Sequence, residues 1–443
     1  MERRESGEEF MKKIIAICLL LSVFMVSCRK ENVDQCKVLS IHQQNTLSVM
    51  SWRQEDAPAM KNLIDDFERS HPGIKMEMEC VSLPQYAQTI QVRLSSGTGV
   101  SDVIFLKPDL DFFLSLTNRK ALLDLSECDF LDQYPKELSS VYAVNEKQYG
   151  IPYTANVITT ICNKEVLNRF DLQMPRCWEE TEKIFNFLKK SGVVPIVCGG
   201  EQTDDMDKSY LPIFLANAEQ YRYQSARIFF YYVHTQQTGD ILSNDMVQSF
   251  LECMKSLADS GYYPAENLNL SKTQATELFA NGKAAFLLGD TASVSTIYSY
   301  NPDCEFEFSQ LPMEFGSLTG YKSIGTVLGI GSDMPAREEC KEFISYLSQP
   351  EVATAYGDAI NQLVLVNGVT PQNEMCLKIK DLFDQKLSFD PAACVSNYES
   401  WYRKPFNDLV ARVISGQPVK LALEYGKKAY AELIAVTKYI ILP

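Results

Sequence analysis

The sequence predicts an α/β fold. From residue 46 onward β-rich runs alternate with amphipathic helical runs, one run is the short, continuous apolar "SDVIFL", and hydrophobic residues make up 46% of the chain. Alternation argues for helices laid against a sheet, and an unbroken apolar run for a strand covered on both faces of a parallel sheet. The first unit reads strand, helix, strand, helix, strand. "TLSVMSW" is rich in β-formers and ends at Trp52. In "EDAPAMKNLIDDFERSHPG", Met60, Leu63, Ile64 and Phe67 recur at helical spacing, with Asp56 placed as N-cap and Pro58 in the first turn. "IKMEMEC" alternates, which puts Ile74, Met76, Met78 and Cys80 on one face. "YAQTIQVRLSSGTG" is a second helix closed by glycine, and "SDVIFL" follows.

The same grammar returns later. "CWEETEKIFNFLKKSG" is a helix ending at Ser191-Gly192, and the strand "VVPIVCGG" comes next. "REECKEFISYLS" repeats the helical pattern through Cys340, Phe343, Ile344 and Leu347. From about residue 397 the chain reads as two long helices split by "SGQPV". No tandem repeat or low-complexity segment interrupts this plan.

The N-terminus is of another kind. Lys12-Lys13 lead into the uncharged residues 14–27, Cys28 follows, and Arg29-Lys30 close the run. A spanning helix needs about 20 apolar residues, whereas a positive start with a shorter apolar middle describes a signal peptide. The stretch Met25-Val26-Ser27-Cys28 resembles a bacterial lipobox, which implies that Cys28 is lipidated and begins the mature chain. Residues 1–27 are read as the signal, with 1–10 a candidate mis-called start before Met11, and 28–45 as a polar tether. The expected location is the cell envelope, exported and held to the membrane by that lipid alone.

Bulk properties exclude several function classes. The formal net charge is −15, and the signal segment carries equal numbers of acidic and basic residues, so the mature chain keeps that value. An acidic surface argues against nucleic acid, whose phosphates need basic partners, and against electrostatic docking on anionic lipid. Of thirteen cysteines, Cys18 leaves with the signal and Cys28 takes the lipid. The rest are odd in number, widely spaced and without a CxxC pair, neither a zinc ribbon nor a tidy disulfide framework. Cys162 and Cys198 lie in apolar runs and read as small buried hydrophobes. The three histidines, His42, His71 and His234, have no partner at metal-ligand spacing, and no G-x-S-x-G or phosphate loop is present. The acidic loop "EQTDDMDK" lacks the glycine and terminal glutamate of an EF-hand loop. No catalytic residue, metal or cofactor is expected.

Several phrases together resemble the extracellular solute-binding proteins of ABC importers, in particular the sugar-binding group typified by maltose-binding protein. They are "LIDDFERSHPGIKMEM", "LSSGTGVSDVIFL", "YGIPYTANVITTICNKEVLNRFDLQMPRCWEE", "LFANGKAAFLLGD" and "SIGTVLGIGSDMPAREECKEFISYLSQPE", which span nearly the whole mature chain. The resemblance implies the type II periplasmic-binding-protein-like fold, two α/β lobes joined by hinge strands around a ligand cleft. Crossovers are then expected near Thr154–Val157, near Ile324–Gly329 and within "VTPQNEMCLK". Lobe one would combine 46–154 with 329–375, and lobe two 157–323 with 379–443.

The resemblance also nominates ligand contacts. Sugars need aromatic plates for their C–H faces and carboxylates or amides for paired hydroxyls. Trp52 ends the first strand, where a ligand plate and a lobe-packing residue are both open readings, with Arg53 and Glu55 after it. Asp109 lies just past "DVIFL", where a hydroxyl-binding carboxylate and a helix cap are both open readings. Tyr153 and Asn156 flank the first hinge. Glu201 and Tyr210 follow the "VCGG" strand. Asp290 replaces the tryptophan common in relatives, and Trp401 in "YESWYRKPF" matches a stacking position, while the helical stripe of Tyr398, Trp401 and Tyr402 leaves a core reading open. Asp102 is expected to order its turn, and Trp178 to pack inside lobe two.

The implied function is capture of a carbohydrate, an oligosaccharide above all, by a monomer that delivers it to ABC permease subunits. A non-sugar cargo such as a peptide, polyamine or anion, service to a membrane sensor, and a glycosidase built on two carboxylates remain open from sequence.

Overall fold

A computed structural model of the chain describes residues 46–201, 210, 213–214, 242, 245–318, 320–332, 336–385, 387 and 400–440. The signal segment, the tether, the acidic loop after Glu201 and the side chain of Trp401 lie outside the described residues.

Among the described residues nine strands form one sheet: β1 (Thr46–Ser51), β2 (Lys75–Cys80), β3 (Val103–Leu106), β4 (Ile151–Asn163), β5 (Val194–Val197), β6 (Ala284–Asp290), β7 (Phe306–Ser309), β8 (Tyr321–Ile330) and β9 (Leu363–Val364). The order is β2-β1-β3-β8-β4-β6-β5, with β7 and β9 also paired to β4. β1 lies parallel to both β2 and β3, whereas β8 runs antiparallel between β3 and β4. The sheet is therefore mixed. The wholly buried "VIFL" has a parallel neighbour on one side and an antiparallel one on the other, which corrects the expectation of a parallel sheet around it. Its burial comes from the layers packed above and below, not from strand direction.

Period-two alternation sends neighbouring side chains to opposite faces. In the first lobe Val49 and Phe105 join Ile64, Phe67, Phe343 and Leu347 on one face of the sheet. Met50 and Ile104 join Tyr86, Ile90 and Phe113 on the other. The second lobe repeats the plan. Cys162, Ile196 and Phe286 pack with Phe185, Phe250 and Leu409, while Ile161, Val197 and Leu287 pack with Phe279 and Ile297.

The helices follow their sequence pattern. Helix Arg337–Leu347 buries Cys340, Phe343, Ile344 and Leu347, each buried side chain of that size contributing about 1.5–3 kcal/mol. Helix Leu83–Ser96 ends where Gly97 adopts φ 73°, a left-handed cap that suits glycine. Trp178 opens helix Trp178–Lys190 and meets Tyr262 edge-on at 6.5 Å, a packing contact within the second lobe. The two closing helices, Ser400–Ile414 and Val419–Ile440, place Leu409, Val413, Ala422 and Tyr430 in the same core. No described helix is long and apolar enough to cross a membrane.

Two strands run through both lobes. β4 gives Tyr153 to the first core and Ile158 and Cys162 to the second. β8 gives Leu328 and Ile330 to the first and Tyr321 to the second. Between these stretches the two pair with each other, with an irregularity on either side of Thr326.

Candidate functional site

In open α/β sheets ligands bind outside the carboxyl ends of the strands, where the connections diverge. Trp52-Arg53 directly follow the end of β1. The indole is half-buried against the face built by Met50 and Tyr86, and its N–H is buried without a partner among the described residues. Arg53 lies over the ring, 5.3 Å from its centroid.

Arg53 itself turns inward and is only 3% exposed. Its Nε and Nη2 both donate to the carboxylate of Asp56, the second at 3.0 Å, and Glu55 stands 3.2 Å away. Burial pulls the guanidinium down, but the charges of Asp56 and Glu55 outweigh it and hold Arg53 above its ordinary value. Burial likewise pushes the Asp56 carboxyl up, against the attraction of Arg53. Asp56 is thus the N-cap of helix Ala57–Ser70 by position, while its side chain makes no capping bond and holds Arg53 instead. Arg53, expected at the ligand, is a buried partner; Glu55 remains at the rim, its side chain 43% exposed.

The other nominated residues separate by environment. Asp109 accepts from Phe112 N at 3.0 Å and caps helix Leu110–Asn118, the second of its two readings. Tyr153, expected on the cleft floor, is sealed in the first lobe, stacked on Tyr356 at 5.7 Å with its hydroxyl donating to Leu347 O at 3.3 Å. Tyr356 in turn donates to Asp56 at 3.4 Å, so Tyr153 belongs to the support of the Arg53 pair. Tyr210 is in the second core and donates to Asn407 Oδ1 at 2.6 Å. Asp102, as expected, orders its turn: it accepts from Ser48 N at 2.7 Å and Ser48 Oγ at 2.6 Å, pinning β1 to the entry of β3.

At the strand ends of the second lobe the chain approaches itself closely. Gly199 and Gly200 pass against the backbone of Asn267 to Lys272, where a Cβ at either would come within 3.0 Å of main-chain atoms. Glu201 follows, exposed, its N–H bonded to Leu270 O at 3.0 Å. Lys272 opens helix Lys272–Ala280 behind a capping box made by Ser271 and Gln274. Its ammonium is 2.7 Å from Asp290, which also accepts from Ser293 Oγ at 3.3 Å. Asp290 is therefore an ion-paired carboxylate at the end of β6, level with Ile158 of β4. The next residue clamps that strand, Thr291 N donating to Val157 O at 2.9 Å and Thr291 Oγ1 accepting from Val157 N at 3.1 Å.

Asn156 lies between the lobes on β4, beside Ser323 of β8. Its Oδ1 is buried without a partner among the described residues, as are Thr154 Oγ1, Thr326 Oγ1 and both side-chain amide atoms of Gln362. Each such group left unpaired costs about 1–3 kcal/mol, so a cluster of them marks a place where something else binds. Sequence reading missed Lys272, Thr326 and Gln362. For the last two the usable signal was a polar residue inside or beside an otherwise apolar run, as in "SIGTVLGIG" and "AINQLVLV". Among the described residues no group of His, Cys, Asp and Glu has metal-binding geometry.

Two α/β lobes joined by strands that run through both, with polar and aromatic residues gathered at the strand ends between them, define the class: a two-lobed binding protein of the type II periplasmic kind. The chain belongs to the bacterial extracellular solute-binding protein family, whose model matches residues 62–372. It is 25% identical over 368 residues to the multiple sugar-binding protein of Streptococcus mutans, covering 82% of this chain and 84% of that one. Among solved structures it resembles the solute-binding protein RafE in complex with raffinose, with a TM-score of 0.72 at 19% identity over 87% of this chain and 98% of that one. It also resembles maltose-bound MalE3 of T. maritima, with a TM-score of 0.68 at 16% identity over 88% and 99% of the two chains.

Proposed function

We propose that this chain is an exported, lipid-anchored binding protein that captures a carbohydrate, an oligosaccharide, between its lobes and delivers it to ABC permease subunits. The observation that carries this reading is the similarity to the multiple sugar-binding protein along more than four-fifths of both chains. The proposed lobes are 46–154 with 329–375 and 157–323 with 379–443. Trp52 is the lobe-one plate and Trp401 the lobe-two plate. Asn156 takes hydroxyls from the hinge through its amide N–H, Glu55 and Glu201 line the rim, and Asp109 serves as the helix cap. Arg53, Tyr153, Tyr210 and Asp290 are assigned to support, because each is buried with a partner inside its own lobe.

The protein works as a monomer without cofactor. Capture needs no chemistry: ligand favours the closed arrangement by its differential affinity for the two, and bound sugar is recovered intact. A thermal-shift panel of mono- and oligosaccharides, peptides and polyamines tests the cargo. A ligand that binds only the folded form raises stability by about 2.7 kcal/mol at a hundredfold excess over its Kd. A shift with peptides or polyamines and none with sugars overturns the carbohydrate assignment. The anchor is tested separately: Cys28→Ala releases the protein from membranes or leaves its precursor uncut, and a variant still processed and membrane-bound removes that part of the reading.

A further inference from the structure

Five polar atoms with no partner among the described residues gather where the strands cross between the lobes. Thr154 Oγ1 and Asn156 Oδ1 belong to β4, Thr326 Oγ1 to β8, and Oε1 and Nε2 of Gln362 to the residue before β9. Register makes them neighbours. Thr154 pairs with Thr326 on one side and Val364 on the other, and one step beyond that second ladder Gln362 comes opposite Asn156. Gly325 is bulged out of the ladder between Ile324 and Thr326. It turns its bare Cα to the same place: a Cβ there would overlap Thr154 Oγ1 and stand 3.0 Å from Asn156 Nδ2. Thr154, Thr326 and Gln362 are each 1% exposed, which shuts out a sugar ring.

The chemistry is that of a water site. Buried waters make about three hydrogen bonds to polar groups that otherwise lack partners. Two hydroxyls, two amide carbonyls and an amide N–H supply donors and acceptors together. We propose that Thr154, Asn156, Thr326 and Gln362 hold structural water that bridges β4, β8 and the entry to β9 beneath the cleft. β4 and β8 run from one lobe into the other, so this bridge tunes how the crossing strands flex as the lobes move. It acts on ligand affinity without touching ligand.

A high-resolution crystal structure of the sugar-free mature protein reads the site directly. The expected result is ordered water at about 2.7–3.2 Å from at least three of the five atoms. Finding those atoms bonded to other protein groups overturns the proposal, and so does a sugar hydroxyl in that position in a sugar-bound crystal. Thr326→Val and Gln362→Met delete the polar partners while keeping size. Each is expected to lose the water and to change affinity for every accepted sugar by one common factor, on the order of fivefold, leaving their ranking intact. A changed ranking means direct sugar contact, and unchanged affinity means no coupling; either overturns it. Only the affinity arm rests on the carbohydrate reading. Water in the sugar-free crystal is decided whether or not sugars bind, so the two readings fail separately.

Discussion

Arg53 and Asp56 are three residues apart, and both side chains are nearly sealed from solvent. A buried ion pair adds little net stability, yet removing one member strands the other charge. Asp56→Ala is therefore expected to cost about 3–5 kcal/mol in urea denaturation, and a double replacement, Arg53→Met with Asp56→Leu, to recover most of it. A small loss in the single variant would show that Arg53 finds another carboxylate, with Glu55 the nearest candidate at 3.2 Å. Trp52 presents the opposite case. It is half-buried, its indole N–H has no partner among the described residues, and Arg53 backs its ring. Trp52→Ala is expected to weaken carbohydrate binding by about 1–3 kcal/mol, by analogy with aromatic stacking on bases, in titration calorimetry. The sugar-free melt should move far less than with Asp56→Ala. If that order reverses, Trp52 is packing and not a plate.

At the scale of elements, the crossing of β4 and β8 is the place where sequence and geometry constrain each other most. The bulge at Gly325 lets β8 pass Thr154 and Asn156 without a side chain between them. Gly325→Ala places a methyl onto Thr154 Oγ1, and overpacking of this kind costs about 1–3 kcal/mol. Thr154→Ala in the same chain removes the overlapped hydroxyl. The double variant is expected to be more stable than the sum of the two single losses allows, measured as a double-mutant cycle by chemical denaturation. Strict additivity would mean that β8 shifts bodily instead. Helix Lys272–Ala280 shows the same dependence of site on element, since its capping box sets where Lys272 meets Asp290.

For the whole molecule, the cysteines report how the cores are divided. Among the described residues no cysteine is in a disulfide, and Cys162, Cys304, Cys340 and Cys376 are buried in different cores or helix contacts. Burial pushes the thiols of Cys162, Cys340 and Cys376 up to about 12 and that of Cys304 to about 11. The thiolate is the reactive form, so these four stay inert at neutral pH while the protein is folded. Alkylation followed by peptide mapping should mark the exposed Cys177 first and reach those four only on unfolding. Early labelling of Cys162 or Cys340 would locate a lobe that opens well below the global transition.

The sequence by itself determined the α/β class, the helix faces and the strand alternation. Those depend on neighbours a few residues apart: Cys340, Phe343, Ile344 and Leu347 sit on one face whatever they pack against. It also carried enough family phrasing to imply two lobes and a cleft. Only the tertiary structure decided which candidate side chains are left for a ligand. Arg53, Tyr153 and Tyr210 look like binding residues in the chain but meet Asp56, Tyr356 and Asn407 in space, the last two roughly two hundred residues away. Conversely, Thr326 and Gln362 carry no motif. They gain meaning from the register of β8 and β9 against β4, which brings chain segments 154–156, 326 and 362 side by side with polar atoms unpaired. Local periodicity is written in adjacent residues, whereas the partner of a polar atom is a long-range fact that exists only once the lobes have folded.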